Sequence, residues 1–285
     1  MDGTSPLRFS VLGSGSAGNS LVVSLGGDAV LLDAGFSVAQ TDLRLRAVGV
    51  DPRQIRAILV THEHGDHIGH AGRLSKAFKA PIYATQGTLD AGQRHLAQAC
   101  AMEVMRRGEC LRFGKLEVEA VSKPHDAADP LSFLVHADER TLGFFTDLGH
   151  VDATVAEAIG RCDFLLMEAN HDTEMLATGP YPHYLRERVG GKWGHISNEA
   201  SARALARCLT GRLRTLLLGH LSTKNNDPMR VVEAFRKHLG DAPGYPRYLS
   251  YQDRPLGPFD REGRLLRSHG AIAATSPSEG TGAKH

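Results

Sequence analysis

Short apolar runs separated by glycine-rich turns open the chain. Three of these runs have the length and the aliphatic or β-branched character of strands, and they cover residues 7–12, 20–25 and 29–32. Apolar residues at helical spacing then predict a helix over 40–48, and Asp51-Pro52 predicts a turn and a further helical step before a strand over 57–60. The N-terminal part is therefore predicted to be a meander of strands that leads into alternating helices and strands.

From residue 69 onward, helical patterns alternate with apolar runs of strand length. The helical patterns cover residues 69–78, 87–98, 152–160, 198–208 and 229–238. The strand-like runs cover residues 81–84, 116–121, 133–135, 142–145, 164–168 and 215–218. Helices and strands in these numbers predict a layered α/β protein with sheets at its centre. We expect one domain over residues 1–267, followed by a disordered tail over 268–285 that is poor in large apolar residues.

The composition is that of an ordinary globular protein. Of the 285 residues, 41% are hydrophobic and 23% are charged. No apolar stretch approaches the ~20 residues of a membrane-spanning helix, and the first residues lack a secretory signal pattern, so a cytoplasmic location is expected. The 33 Lys and Arg nearly balance the 32 Asp and Glu, so no overall positive field indicates a nucleic-acid partner. The four cysteines lack CxxC spacing, which argues against disulfides or a thiolate metal site.

Histidine is the unusual residue of this composition, with fifteen copies. The predicted strand over 57–60 ends directly in the sequence THEHGDH. In an extended segment His62 and His64 project to the same side, and the glycine permits a tight turn that brings Asp66 and His67 towards them. Imidazole nitrogens and carboxylate oxygens are ligands for Zn, Mn and Fe, and hydrolytic sites keep one position open for water. The pattern therefore predicts a metal-dependent hydrolase.

Residues Thr61 to Gly69 resemble the metal-binding signature of the metallo-β-lactamase superfamily. The resemblance implies a four-layer αββα sandwich with two divalent metal ions at one edge of the sheets. It also implies further ligands after later strands, where His125, Asp147 and His220 each come shortly after an apolar run. The implied ligands are His62, His64 and His125 for one ion, Asp66, His67 and His220 for the other, and Asp147 as a bridge.

The same resemblance implies roles for three aspartates. Asp66 and Asp147 would be catalytic through the ions, because two cations about 3.5–4 Å apart lower the pKa of a bridging water, the nucleophile, towards neutrality. Asp33 matches an early aspartate of the superfamily, and we expect it to accept the second N–H of a histidine ligand, with a plain turn residue as the alternative. Zn, Mn or Fe would fit these ligands.

The segment GHISN, residues 194–198, narrows the range of possible substrates. A helix that starts at Ser197 or Asn198 offers free backbone N–H groups to a phosphate. Similar segments occur in the phosphodiesterase branches of the superfamily, and by this resemblance His195 contacts the scissile phosphate or protonates the leaving oxygen. An ordinary helix cap beside an exposed histidine is the alternative.

Other polar residues are candidates for binding a nucleic-acid backbone. Lys224 and Asn225 follow the last implied ligand and could donate to phosphate. The Arg-rich stretches 186–192 and 203–214 could contact DNA. Surface loops and solvated helix faces explain these residues equally well.

A closer resemblance extends from about Leu7 to Leu256. Residues 13–20, 125–130, 168–172, 179–182 and 194–198 resemble the YycJ/WalJ branch of the superfamily. Proteins of this branch are regarded as 5′-to-3′ exonucleases on double-stranded DNA that lack the inserted β-CASP domain. The resemblance implies DNA as the substrate, and Ala169 and Ile196 are mild departures from the branch pattern.

Other functions stay open at this point. A small-molecule hydrolase, either a cyclic phosphodiesterase or a thioesterase, would use the same metal site, because one fold hosts many substrates. A closed pocket in place of an open basic groove would distinguish this class. A non-catalytic adaptor is disfavoured by the complete ligand set, and a homodimer is one of the oligomeric states that the sequence allows.

Overall fold

The computed structural model describes residues 5–241 and 243–266, and its strands form two seven-stranded sheets. The first sheet consists of β1 Arg8–Gly13, β2 Ser20–Leu25, β3 Asp28–Leu32, β4 Ile55–Leu59, β5 Ile82–Ala84, β6 Met102–Val104 and β14 Leu256–Phe259. The second sheet consists of β7 Cys110–Phe113, β8 Leu116–Ser122, β9 Leu131–Ala137, β10 Arg140–Phe145, β11 Phe164–Glu168, β12 Thr215–Gly219 and β13 Arg247–Leu249. The hydrogen-bonded orders are β14-β1-β2-β3-β4-β5-β6 and β13-β12-β11-β10-β9-β8-β7.

The helices of the described residues flank these sheets. They are α1 Val38–Ala47, α2 Gly65–Ile68, α3 Ala71–Phe78, α4 Gln86–Ala91, α5 Gln93–Leu96, α6 Ala153–Gly160, α7 Thr173–Thr178, α8 His183–Gly190, α9 Asn198–Cys208 and α10 Pro228–Leu239. A 3-10 turn, Pro52–Gln54, leads into β4.

Alternating side chains bury both faces of each sheet. Along β3, Val30 and Leu32 face the core between the two sheets, whereas Leu31 packs on the opposite side with residues of α1 and α3. Along β11, Phe164 faces the central core and Leu165 packs against α6, α9 and α10. The layers are therefore helix, sheet, sheet and helix, and the predicted αββα sandwich is confirmed.

Several strands end at one edge of this sandwich. β3 and β4 are parallel neighbours, and so are β10, β11 and β12. β8 runs in the same direction as β10 because both are antiparallel to β9. The carboxyl ends of parallel strands meet at one edge of a sheet, which is where α/β proteins bind ligands. Residues that follow these strands are thus brought together from both sheets.

Some elements differ from those that the sequence predicted. The helix predicted over 87–98 is divided at Gly92, where a Cβ would lie 2.4 Å from Cδ1 of Ile68. The tight turn expected at Gly65 is the start of α2. Strands β6, β7, β13 and β14 and helices α7 and α8 were not predicted. The expected tail over 268–285 lies outside the described residues, and no helix of the described chain has the length and apolar character needed to cross a bilayer.

Candidate metal centre

Three histidines form the first cluster at the shared edge. Nε2 of His62 lies 3.0 Å from Nδ1 of His64, and Nε2 of His125 lies 3.3 Å from the same atom. His62 and His125 are buried, whereas His64 is partly exposed. Three imidazole nitrogens that face one point from two different sheets could hold a metal ion.

The second cluster combines carboxylates with histidines. Nε2 of His67 lies 2.9 Å from Oδ2 of Asp147 and 3.3 Å from Oδ2 of Asp66. Nε2 of His220 lies 3.4 Å from the same oxygen of Asp66. Asp147 also lies beside the first cluster, because its Oδ1 is 3.8 Å from Nε2 of His125. The two clusters therefore adjoin at Asp147.

Hydrogen bonds on the far side of each ring fix the orientation of these histidines. Nδ1 of His67 lies 2.6 Å from Oδ2 of Asp33, and Nδ1 of His125 lies 3.1 Å from the carbonyl oxygen of Gly194. The Thr61 hydroxyl donates to Asp33 at 3.0 Å and accepts from Nδ1 of His62 at 2.8 Å. Each bond assigns the proton to Nδ1 and leaves the Nε2 lone pair for the cluster.

Two buried atoms of the second cluster lack a hydrogen-bond partner among the described residues. They are Nε2 of His220 and Oδ2 of Asp147, which lie near other cluster atoms but not in hydrogen-bonding geometry. A buried polar atom without a partner is costly, and a coordinated cation would remove that cost. The donor set, with imidazole and carboxylate groups only, fits divalent cations such as Zn²⁺ and Mn²⁺.

Electrostatics differ between the two clusters. Burial alone would lower the pKa of His67 and of His220, but the surrounding carboxylates, Asp147 foremost, raise both above their usual range. Burial and the nearby His67 hold the pKa of His62 well below its usual range. The first cluster thus presents neutral imidazoles, and the second concentrates negative charge that attracts cations.

Three residues at the strand ends of this site have an unusual backbone conformation. Asp33, Asp147 and His220 have φ values of 61°, 56° and 55°, in the left-handed region that few residues other than glycine adopt. All three directly follow, or lie within two residues of, the ends of strands β3, β10 and β12. Outliers of this kind cluster at functional sites, where surrounding contacts hold them.

Residues of the loop between β1 and β2 hydrogen-bond to residues of the second cluster. Nδ2 of Asn19 donates to Oδ2 of Asp66 at 3.1 Å, and the N–H of Asn19 donates to the Asp66 carbonyl at 2.8 Å. Oγ of Ser14 accepts the N–H of His220 at 2.9 Å and donates to Oδ1 of Asn19 at 3.0 Å. Sequence reasoning gave no role to either residue.

Glu168 is a further site residue that sequence reasoning left without a role. It is fully buried, and its Oε1 lies 2.8 Å from Nδ1 of both His195 and His220. Its Oε2 accepts the N–H of Leu148 at 2.6 Å. Burial alone would raise the pKa of Glu168, but the two histidines hold it below its usual range. An acidic residue at the end of an otherwise apolar strand was the signal that could have identified it.

Comparisons with known proteins agree with this geometry. The family model described as "Beta-lactamase superfamily domain" matches residues 28–220. The exodeoxyribonuclease YycJ of Bacillus anthracis is 36% identical over 77% of this chain and 84% of its own length. The chain belongs to the metallo-β-lactamase superfamily. It is a hydrolase of that superfamily, and the predicted kinship with the YycJ/WalJ branch is confirmed.

Two further proteins resemble this member of the superfamily. The exodeoxyribonuclease WalJ of Streptococcus pneumoniae is 34% identical over 77% of this chain and 83% of its own length. The crystal structure of Zn²⁺-bound PqqB from Methylobacterium extorquens matches with a TM-score of 0.65 at 19% identity, and covers 87% of this chain and 99% of PqqB. The structural match shows that the fold is shared.

His195 lies at the entrance of this metallo-β-lactamase site. Its side chain is 22% exposed, and its ring centre is 5.4 Å from that of His125 and 5.2 Å from that of His220. Ligand-type atoms of Asp147, Glu168, His195 and His220 also converge. His195 and His220 both hydrogen-bond to Glu168, which explains why this third group of residues lies together.

Two of the backbone N–H groups at the start of α9 already have partners within the protein. The N–H of Asn198 donates to the His171 carbonyl at 2.9 Å, and the N–H of Ala200 donates to Oγ of Ser197 at 3.2 Å. The Asn198 side chain is buried and donates to Asn226 at 2.7 Å. Ser197 therefore caps the helix, and Asn198 ties it to the loop after β12.

The remaining candidates for contact with a nucleic-acid backbone lie in different places in the structure. Lys224 is exposed, but Asn225 is fully buried, so its side chain is not at the surface. Arg188 contacts Asp126 at 2.6 Å, beside His125 and on the site side. Arg212 contacts Asp163 at 3.3 Å, just before β11, which places it at the opposite end of the sheet from the site.

Proposed function

We propose that this chain is a nuclease that degrades DNA from the 5′ end with the help of two divalent cations, Zn or Mn. The observation that carries the proposal is the arrangement at Asp147. Two clusters of ligand atoms adjoin there, and a partly exposed histidine, His195, lies at their entrance without being needed by either cluster. Similarity to two proteins named exodeoxyribonucleases supports DNA among the substrates that this fold hosts.

The proposed ligands follow from the two clusters. One cation would bind His62, His64 and His125, the other would bind Asp66, His67 and His220, and Asp147 would contact both. When bound, such cations supply Lewis-acid polarisation of the phosphoryl group and lower the pKa of water. Asp33, Thr61 and Glu168 keep the protons of His67, His62 and His220 on Nδ1, so that Nε2 of these three rings stays available. His64 faces its cluster with Nδ1.

We assign the proton transfer to His195. Its Nδ1–H donates to Glu168, so Nε2 is the ring atom left for the substrate. A protonated Nε2 would donate its proton to the leaving oxygen of the scissile phosphodiester, while the Glu168 carboxylate compensates the positive charge of the ring. The exposed ammonium of Lys224, four residues after His220, is the proposed contact to a neighbouring phosphate.

The test uses a DNA duplex with a 5′-phosphate on one strand, incubated with Mn²⁺ or Zn²⁺. A label at the 3′ end of that strand should give a ladder of shortened products, and a label at the 5′ end should give labelled mononucleotide. A His64→Ala/Asp66→Ala double variant should do neither. Cleavage of bis(p-nitrophenyl) phosphate without shortening of the duplex would indicate a small-molecule phosphodiesterase, and turnover of a thioester alone would indicate a thioesterase.

A further inference from the structure

Trp193 is an exposed aromatic residue beside the candidate site. It is the single tryptophan of the sequence, and 53% of its surface is exposed. It lies between the end of α8 and His195, two residues before the proposed proton donor. Lys192 and His150 lie beside the ring, and the exposed remainder is an apolar surface that a ligand can cover.

Neighbouring loops contact the backbone at Trp193. Its carbonyl oxygen accepts the N–H of Asp126 at 2.8 Å, and the adjacent carbonyl oxygen of Lys192 lies 3.0 Å from Nδ1 of His150. A Cβ on Gly149 would lie 2.0 Å from that Lys192 oxygen and 2.8 Å from Cα of Trp193, so the two loops are in close contact. The loops that carry His125 and Asp147 therefore position the exposed ring.

A cavity of about 350 Å³ is lined both by Trp193 and by His125 of the first histidine cluster. His150, Arg107 and Asp152 also belong to its lining. Nζ of Lys192 lies 5.4 Å from the centre of the indole ring. An aromatic ring with a lysine beside it, next to a cavity that reaches a proposed metal ligand, matches a nucleotide, which combines a flat base with a phosphate.

We propose that Trp193 stacks on a nucleobase next to the scissile phosphate of the DNA strand. The inference rests on the proposed function, since it names the part of the substrate that this wall of the site contacts. Stacking tolerates any base, because every base has a π-face. A base on the indole ring is separated from its complementary strand, so the nucleotide at the site is unpaired when it is cleaved.

The first test uses the single tryptophan as a natural reporter. Titration of the Zn²⁺-loaded protein with a phosphorothioate oligonucleotide, which resists hydrolysis, should quench the indole fluorescence saturably. An oligonucleotide of the same length with abasic residues should bind through its backbone with much less quenching. Equal quenching by both would overturn the inference, since the effect would then not depend on the base.

The second test compares variants with a matched control. Trp193→Ala should raise KM for DNA about tenfold with a smaller change in kcat, and Trp193→Phe should restore most of the loss. Tyr184→Ala removes an aromatic side chain that is 71% exposed on α8, and its KM should stay unchanged. One abasic nucleotide beside the scissile bond should raise KM for the wild type and add little in Trp193→Ala, because both changes remove the same contact.

Two failures can be told apart. DNA hydrolysis by the wild type with the same KM in Trp193→Ala, or an equal loss in Tyr184→Ala, would overturn the stacking inference and leave the proposed nuclease function intact. No hydrolysis and no binding of any DNA by the metal-loaded wild type would overturn the proposed function and the stacking inference with it.

Discussion

Oε1 of Glu168 lies 2.8 Å from Nδ1 of His195, and the same oxygen atom lies 2.8 Å from Nδ1 of His220. One carboxylate atom therefore orients the proposed proton donor and a proposed metal ligand together. A disturbance of Glu168 reaches both rings, so under the proposed function Glu168 would couple ion binding to proton transfer.

Glu168→Gln should lower kcat for DNA by roughly 10- to 100-fold, because an amide cannot accept two N–H groups with a full negative charge. As Glu168 acts through other residues, its replacement should also change the pH profile of kcat, which a purely structural defect would leave in place. Glu174→Gln, at an exposed position on α7, is the matched control and should behave as the wild type. An unchanged pH profile in Glu168→Gln would contradict the positioning role.

Asp33→Asn should weaken metal binding by roughly 10- to 100-fold. Asp33 accepts hydrogen bonds from the Thr61 N–H, the Thr61 hydroxyl and His67, and an amide cannot accept all three. Asparagine tolerates the positive φ of 61° at this position, so the backbone should not change. Competition with a chromophoric chelator measures the affinity, and wild-type affinity in the variant would mean that Asp33 does not orient His67 for an ion.

His195→Ala and His220→Ala should separate catalysis from ion binding. We expect His195→Ala to lower kcat by about 10²- to 10³-fold with two ions per chain retained, since general acids contribute about this much. His220→Ala should lose one ion and nearly all activity. Metal content is measured by atomic emission on dialysed protein, and an ion lost from His195→Ala would make this histidine a ligand.

Removal of the ions should destabilise the fold, because the proposed ligands come from both sheets. At a free ion concentration about 1,000 times Kd, binding stabilises the folded state by about 4 kcal/mol. For a protein of this size that corresponds to a drop of roughly 8–16 °C in Tm after chelation. Differential scanning calorimetry before and after chelation, with Zn²⁺ added back, tests this. Asp147→Asn should show a smaller drop, and an equal Tm with and without ions would contradict binding at this edge.

His171 should make the stability of the metal-free protein depend on pH. Burial lowers the pKa of His171 to about 4, so between about pH 6.5 and pH 4 the unfolded chain binds a proton that the folded chain excludes. Stability contributed by the neutral ring is therefore lost as pH falls through this window. His171→Gln should lose roughly 2 kcal/mol less than the wild type between pH 7 and pH 5 in urea titrations. Parallel losses in both proteins would contradict this.

The resemblance to the superfamily implied the proposed metal ligands, and they could be located because each follows a strand that is recognisable on its own. A buried parallel strand is a continuous apolar run, and its end is visible as a polar residue such as Asp147 or His220. The elements that were not predicted lack such a signal. Helix α8 buries none of its residues, and all three residues of β6 are exposed. Neither element therefore has the periodic apolar positions by which a helix or strand is recognised in a sequence.

The supporting contacts could not be predicted because they join distant parts of the chain. Ser14 and His220 are hydrogen-bonded across 206 positions, and this pairing depends on the relative position of two loops from different sheets. The same is true of Asn225, whose residue type suggests a surface loop but whose side chain is fully buried. The local sequence pattern identifies residues that can bind an ion. The residues that hydrogen-bond to those ligands are determined by tertiary packing, which the local pattern does not show.

The left-handed backbone at Asp33, Asp147 and His220 also bears on how such a site can evolve. Asp, Asn and His are among the few residues besides glycine that adopt this conformation at small cost. A mutation that exchanges one of them for another alters the donor atom and leaves the strand end in place. At the proposed ligands Asp147 and His220, a single substitution can therefore change the chemistry of the group that faces the ion without disturbing the sandwich that carries the site.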